Sequence, residues 1–220
     1  TFNEAVLDSP IPTIAISGDG IANVASTNMT KQSTTVYTYS YAVPTGDGTG
    51  TVTVGTGTDA AGNIVTSTPT SGATFTVDNT APTAEITYSG AGGSPYKESD
   101  EVTITATFDE AVATTPKIAI AGSGIANVAA TNMTSTDSDA VWTYAYAVPT
   151  GDGTGTISLS VGEDASGNTV TSAPTSGATF TVDNTAPSLT AVTQVPTPSN
   201  NCLLYTSPSP RDRTRSRMPS

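Results

Sequence analysis

The stretch of sequence that decides the fold is Glu101-Val-Thr-Ile-Thr-Ala-Thr-Phe108. Its even-numbered positions from Val102 to Phe108 are apolar, and its odd-numbered positions from Thr103 to Thr107 are threonine. A period of two places all the apolar side chains on one face of a β-strand and all the threonines on the other. The stretch therefore predicts a strand with one face in a core and one face in water.

The same alternation recurs on both sides of this stretch, between segments rich in glycine, proline, serine and asparagine. No window carries a convincing helical stripe of apolar residues. Seven short strands in about 105 residues predict an all-β, immunoglobulin-like Greek-key β-sandwich. We expect its core to contain Val102, Ile104, Phe108, Ile118, Ile120, Trp142, Tyr144, Tyr146, Ile157, Leu159, Val161, Phe180 and Val182.

The sequence repeats itself with a period of about 105 residues. Thr1–Val6 returns with one substitution as Thr107–Val112, and Tyr41–Gly50 returns unchanged from Tyr146 to Gly155. Tandem copies of one sandwich are therefore expected.

The repeat predicts four segments along the chain. They are an N-terminally truncated repeat at 1–79, a complete repeat at 80–184, the start of a third repeat at 185–201 and a non-native tail at 202–220. We expect the native protein to continue in both directions from this fragment.

Composition excludes several classes of function. The 220 residues include 19 acidic and 7 basic side chains, for a net charge of −12. An acidic surface repels nucleic acid and anionic lipid, so we expect neither as a partner. The sequence contains no apolar run of 18 residues, which predicts no membrane insertion. Cys202 is the single cysteine and has no intramolecular disulfide partner.

Catalytic motifs are also missing. The sequence has no histidine and no Gly-x-Ser-x-Gly elbow. The same composition disfavours a zinc site, which uses histidine and cysteine. We therefore predict that the chain is not an enzyme.

Three motifs carry a resemblance to a known family. Asp-Asn-Thr-Ala-Pro occupies 78–82 and 183–187, Glu-Asp-Ala-Ser-Gly-Asn occupies 163–168, and Phe-Asp-Glu-Ala-Val occupies 108–112. With Thr-Asp-Ala-Ala-Gly-Asn at 58–63, residues 1–201 resemble the bacterial Ig-like repeats of large adhesins and biofilm-associated surface proteins. The resemblance implies an extracellular spacer at the bacterial cell surface, with neighbouring repeats of the same chain as its partners.

The last 19 residues break this pattern. They contain all four arginines and the only cysteine. Cys202-Leu-Leu-Tyr-Thr-Ser207 resembles the translation of a transposase sequencing adapter. A native, basic and disordered terminus is the alternative interpretation.

Acidic and amide side chains are expected to converge where the complete repeat begins. In such a sandwich the loop after the second strand (109–110), the loop after the sixth strand (164–168) and the preceding linker (78–79) meet at one end. The side chains so placed are Asp78, Asn79, Asp109, Glu110, Asp164 and Asn168. They predict a Ca²⁺ site, since Ca²⁺ takes six to eight oxygen ligands. The alternative is a set of solvated loop acids whose Asp and Asn residues form turns.

Two further motifs have simpler interpretations. Gly46-Asp-Gly48 and Gly151-Asp-Gly153 are interpreted as tight turns rather than as cation ligands. The Asn-Met-Thr sequences at 28–30 and 132–134 match a glycosylation sequon, but in a bacterial protein we interpret the asparagine as a strand or turn residue.

Three functions remain open on sequence alone. A structural spacer in a surface adhesin is favoured by the near-identical tandem copies. An accessory Ig-like module of a secreted hydrolase is the second hypothesis. A glycan- or protein-binding module is the third, and it predicts clustered exposed aromatic side chains.

Overall fold

The computed structural model describes residues 1–90, 92–136 and 138–191, and every regular element among them is a β-strand. The strands of the first repeat are β1 Thr13–Ser17, β2 Val24–Asn28, β3 Thr30–Lys31, β4 Tyr37–Thr38, β5 Gly48–Gly55 and β6 Thr74–Val77. Those of the second are β7 Ala84–Ser89, β8 Glu101–Phe108, β9 Lys117–Ser123, β10 Val128–Asn132, β11 Thr134–Ser135, β12 Val141–Ala147, β13 Gly153–Ser160 and β14 Thr179–Val182. The predicted all-β class is confirmed.

The chain divides into two compact units, Thr1–Asn184 and Thr185–Ser220. In the second unit the structure describes residues 185–191, none of which belongs to a strand. The rest of the expected third repeat and the expected non-native tail lie outside the described residues. The described residues include no helix long and apolar enough to span a membrane.

The second repeat forms two antiparallel four-stranded sheets. Their strand orders are β11-β12-β8-β7 and β10-β9-β13-β14. The strand that decides the fold, β8, lies between β7 and β12, and pairs with β12 along its length from Val141↔Thr107 to Ala147↔Glu101. A central strand of this kind has both edges hydrogen-bonded, so its alternating side chains are held on opposite faces.

The core of the second repeat lies between these two sheets. Val102, Ile104 and Phe108 of β8 are buried, as the alternation predicts. They share one cluster with Ile118 of β9 and Leu159 of β13. Because that cluster includes buried residues from both sheets, the packing is that of a two-layer sandwich.

Two of the expected core residues are placed differently. Val161 is 52% exposed, and this prediction was wrong. The strand β13 ends at Ser160, and Val161 has φ of 74°, so the inward positions shift by one residue to Gly162. A Cβ at Gly162 would lie 2.9 Å from side-chain carbons of Val112 and Pro116, so only glycine fits there.

Tyr144 is the second exception, because it is only partly buried where full burial was predicted. It lies in β12 between the buried residues Trp142 and Tyr146 and packs against the edge of the core.

The first repeat has a less complete structure. Four strands form one sheet in the order β2-β1-β5-β6, while β3 and β4 form a separate two-stranded sheet. The strand β4 has two residues, although residues 37–43 differ from residues 142–148 at only two positions. The difference arises because β12 pairs with β8 over seven residues, whereas β4 pairs only with β3, over two residues.

The core assignment predicts that Phe108→Ala costs about 3–5 kcal/mol in the free energy of unfolding of the second repeat, the usual range for a buried phenylalanine. The only tryptophan, Trp142, lies in this repeat, so its fluorescence reports this unfolding alone. Phe2→Ala, at the half-buried counterpart in the first repeat, is the control and should not change the Trp142 transition. A loss below about 1 kcal/mol for Phe108→Ala would contradict the assignment.

Tyr146 generates a second prediction, because its hydroxyl is buried and no described residue is its hydrogen-bond partner. Tyr146→Phe removes a polar atom that is costly to bury, so stability should stay equal or rise by up to about 1 kcal/mol. In the control Tyr88→Phe the lost hydroxyl donates to the Gly177 carbonyl at 2.6 Å, and we expect a loss of about 1 kcal/mol. Chemical denaturation followed by Trp142 fluorescence measures both, and a larger loss for Tyr146→Phe would contradict the prediction.

Candidate metal centre

The linker between the repeats is residues 78–83, from the end of β6 to the start of β7. Its second residue is bound to the first repeat. The backbone N–H of Asn79 and the hydroxyl of Thr80 donate to the two carboxylate oxygens of Asp47. The Asn79 side-chain amide donates to the carbonyls of Pro44 and Gly46 at 3.3 and 2.9 Å. We call residues 44–48 the Asp47 turn.

The second repeat holds its own C-terminal linker in the same way. The N–H of Asn184 donates to Asp152, and its side-chain amide donates to the carbonyl of Gly151. The asparagine follows the aspartate by 32 residues in both repeats. Both Gly-Asp-Gly segments therefore act as turns whose carboxylate binds the linker backbone.

The end of the linker is bound to the second repeat. The carbonyl of Pro82 accepts hydrogen bonds from the backbone N–H and the hydroxyl of Thr171, at 2.9 and 3.3 Å. The N–H and the hydroxyl of Thr83 donate to the two carboxylate oxygens of Asp109, each at 2.8 Å. Pro82 is also buried, so the chain enters β7 along a single path.

The loop after β13 folds around a buried carboxylate. One oxygen of Asp164 accepts the backbone N–H groups of Ser166 and Asn168, and the other accepts the Asn168 side-chain amide, all at 2.8 Å. Asp59 makes the same three bonds in the first repeat, with Ala61 and Asn63. The sequence pattern Asp-x-x-Gly-Asn therefore forms a loop that is closed by its own hydrogen bonds. This is expected where an Asp side chain accepts a hydrogen bond from the backbone N–H two residues further along the chain.

This loop also binds the first residue of the linker. The Ser166 hydroxyl donates to the Asp78 carboxylate, and the Asn168 side-chain amide donates to the Asp78 carbonyl, both at 3.1 Å. Asp78 is thus bonded to the second repeat, while the next residue, Asn79, is bonded to the first. Adjacent residues of the linker are held by different domains.

Three carboxylates meet at this point. Oxygen atoms of Asp78, Glu110 and Asp164 all lie within 4.8 Å of one another. Asp164 is buried, and the other two are partly buried. We call these three residues the carboxylate cluster.

The other three residues expected at a cation site make different hydrogen bonds. Both carboxylate oxygens of Asp109 accept bonds from Thr83. The Asn79 side chain donates to the Asp47 turn. Asn168 borders the cluster, but it turns its NH₂ group, not its oxygen, towards Asp164 and Asp78. The structure therefore brings together the carboxylates of Asp78, Glu110 and Asp164 and places the other three groups around them.

The pKa values of Glu110 and Asp164 are shifted in opposite directions. Burial raises the pKa of Glu110, and the neighbouring charges of Asp78 and Asp164 raise it further. Burial also acts to raise the pKa of Asp164, but the hydrogen bonds that Asn168 and Ser166 donate outweigh it and hold the pKa below its ordinary value. Burial and like charge therefore dominate at Glu110, whereas hydrogen bonds dominate at Asp164.

The donor set fits a hard cation. All three groups offer carboxylate oxygen, and the sequence contains no histidine. Ca²⁺ binds oxygen at about 2.3–2.6 Å, so two ligands on opposite sides of one ion are separated by about twice that distance. Oxygens within 4.8 Å of one another can therefore contact one ion. Three carboxylates supply up to six oxygens, and backbone carbonyls or water supply the rest in such sites.

Sequence reasoning missed three participants at the junction: Ser166, Thr83 and Asp47. The shared separation of 32 residues from Asp47 to Asn79 and from Asp152 to Asn184 was the available signal for the turn contact. The Ser166 bond to Asp78 spans 88 residues and has no counterpart in the sequence pattern.

Comparison with protein-family models and with curated proteins finds no match for this chain.

The Asp47 contact predicts a local change in hydrogen exchange. Asp47→Ala removes the acceptor of the Asn79 N–H, so this amide should exchange at least tenfold faster in NMR measurements. The bonds from Thr80 and Asn79 hold the pKa of Asp47 below its ordinary value, so the contact is present at neutral pH and is lost only as the pH falls through that lowered pKa.

Asp152→Ala is the matched control, because it should accelerate exchange at Asn184 and leave Asn79 unchanged. Equal exchange rates of Asn79 in the wild type and in Asp47→Ala would contradict the assignment of Asp47 as the acceptor.

Proposed function

We propose that the chain is a non-catalytic structural spacer, built of tandem immunoglobulin-like Greek-key sandwiches, in a secreted bacterial cell-surface adhesin. The observation that carries the proposal is the linker, in which Asp78 is bonded to the second repeat and Asn79 to the first. The resemblance of residues 1–201 to bacterial Ig-like adhesin repeats supports the same conclusion.

A linker held in this way resists bending. Rotation of one repeat against the other about the 78–79 segment would break the bonds to Asp47 or those to Ser166 and Asn168. Proline at position 82 fixes φ and biases Ala81 towards an extended conformation. The usual freedom of a short interdomain linker is therefore restricted.

Stiffness is the property that a spacer needs. A flexible chain of domains loses conformational entropy when its end is held away from a surface, while a rod loses little. Stiff repeats in tandem would present a distal binding domain outside the cell, with neighbouring repeats of the chain as the partners of each junction.

Ca²⁺ is the proposed cofactor of the junction. An ion shared by Asp78 of the linker and by Glu110 and Asp164 of the second repeat would offset the repulsion within the carboxylate cluster. Extracellular modules bind Ca²⁺ at about 10⁻⁴–10⁻³ M. At millimolar Ca²⁺ and the tighter end of this range, binding would stabilise the junction by about 1.4 kcal/mol.

The side chains favour a spacer over a binding module. No phenylalanine, tyrosine or tryptophan in the described part of the chain is fully exposed. Glycan- and protein-binding surfaces are enriched in exposed aromatic rings. The aromatic residues instead pack on one another, as in the edge-to-face contact of Tyr146 and Phe180 at 5.3 Å between ring centroids.

Small-angle scattering of the whole chain, with millimolar Ca²⁺ and then with a chelator, tests the proposal. We expect a larger maximum dimension with Ca²⁺, and saturable Ca²⁺ binding by calorimetry. Glu110→Gln should keep the smaller dimension in both conditions, because it removes one ligand charge. The control is Glu163→Gln, an exposed acid next to Asp164 in the loop after β13, which should behave as the wild type.

Two outcomes would contradict different parts of the proposal. Equal dimensions in both conditions with no calorimetric binding would exclude Ca²⁺ and leave the linker bonds as the source of stiffness. Scattering that requires freely reorienting repeats in both conditions would exclude the spacer function.

A further inference from the structure

The tripeptide Gly-Asp-Gly occurs three times, at 18–20, 46–48 and 151–153. An aspartate followed by glycine is the pair at which a peptide chain rearranges most readily without an enzyme. The reason is that glycine has no side chain to hinder attack by its nitrogen on the preceding carboxyl carbon. The second and third copies bind the linkers through Asp47 and Asp152. The first copy lies in the bend between β1 and β2 and has different surroundings.

Both reacting groups of the first copy are unbound. Asp19 and Gly20 are exposed and lie outside the strands. Of the residues that the structure describes, none donates a hydrogen bond to the Asp19 carboxylate and none accepts one from the Gly20 N–H. The carboxyl group is therefore free to turn towards the nitrogen of the next residue.

The carboxylates of the other two copies are held in place. The N–H of Asn79 and the hydroxyl of Thr80 donate to the two oxygens of Asp47. Asp152 accepts the N–H of Asn184. Attack by the next nitrogen would have to break these bonds, so the fold protects the second and third copies and leaves the first copy reactive.

We propose that Asp19-Gly20 is a site of spontaneous modification, at which aspartate converts to isoaspartate with water as the only reagent. The nitrogen of Gly20 attacks the side-chain carboxyl carbon of Asp19. A C–N bond forms, and the amide proton leaves with the carboxyl hydroxyl as water, which gives a succinimide ring. Water then adds to the ring carbonyl carbon that belonged to the main chain and breaks its bond to nitrogen. One water is lost and one is gained, and the main chain now runs through the side chain of residue 19.

The modified bend lies against the Asp47 turn. A Cβ on Gly20 would overlap the carbonyl oxygen of Asp47, and a Cβ on Gly48 would overlap that of Asp19. The two backbones therefore touch with no room between them. Isoaspartate at position 19 adds a methylene group to the main chain here, so the Asp47 turn has to shift, and the hydrogen bonds that Asp47 accepts from the linker weaken. The chemistry does not depend on the spacer function, whereas its consequence, a junction that loosens with age, rests on it.

The second repeat provides the matched control. Ser123-Gly124 occupies the position of Asp19-Gly20, and a Cβ on Gly124 would overlap the carbonyl oxygen of Asp152 in the same way. Serine has no carboxyl group, so this bend cannot rearrange. Asp19→Ser therefore removes the reaction and introduces a residue that the same fold already accepts.

Peptide mapping of the whole chain, after several weeks at physiological temperature, tests the proposal. Cleavage after Lys31, Lys97 and Lys117 places the three Asp-Gly pairs in three different peptides. Electron-transfer fragmentation distinguishes isoaspartate from aspartate of equal mass. We expect at least ten times more isoaspartate at Asp19 than at Asp47 or Asp152. In urea, where the fold is lost, the three sites should react at similar rates, because each is Gly-Asp-Gly.

Amide exchange measures the effect on the junction. In chains that carry isoaspartate, separated by chromatography, the Asn79 N–H should exchange at least tenfold faster than in fresh protein, while Asn184 keeps its rate. Aged Asp19→Ser should show no change at either amide. Equal isoaspartate at the three sites of the folded chain, or none at Asp19, overturns the proposed site. Isoaspartate at Asp19 with an unchanged exchange rate at Asn79 overturns its effect on the junction, and neither result alters the scattering test of the spacer function.

Discussion

The hydrogen bonds that Asp47 accepts from the linker, together with those that Ser166 and Asn168 donate to Asp78, are the constraint on which the junction depends. Each bond by itself is worth little, because exposed hydrogen bonds exchange with bonds to water. Their effect comes from placement on adjacent residues. A bend at 78–79 must break one set or the other, so the linker couples the two repeats.

The architecture of the second repeat was largely predictable because β8 has a period of two without exception. The limits of the prediction have physical causes. At Val161 the positive φ shifts the inward positions by one residue, which no alternation pattern can indicate. At residues 39–43 the local sequence predicts a strand as strongly as residues 144–148 do, but a strand requires a partner, and no strand among residues 1–77 pairs with this segment. Pairing, not propensity, decides that segment.

At the junction the sequence indicated which loops meet, but not how each side chain is used. Asp78, Glu110 and Asp164 share one position because three loops converge at one end of the sandwich. Asp109 and Asn79 carry the same carboxylate and amide groups as Asp164 and Asn168. Their side chains are instead hydrogen-bonded to Thr83 and to the Asp47 turn. Such competition depends on distances between segments far apart in the chain. These distances determine which carboxylates form the cluster that fits a cation and which accept hydrogen bonds from the backbone.

Backbone order parameters from ¹⁵N relaxation test the central claim most directly, which is that the linker is held as firmly as the strands it joins. In millimolar Ca²⁺, the condition in which the two repeats are expected to be most extended, residues 78–83 should have order parameters of about 0.85, like those of β8. Values below about 0.6 across this segment would contradict the account, because the bonds to Asp47, Ser166 and Asn168 would then not restrain the linker in solution.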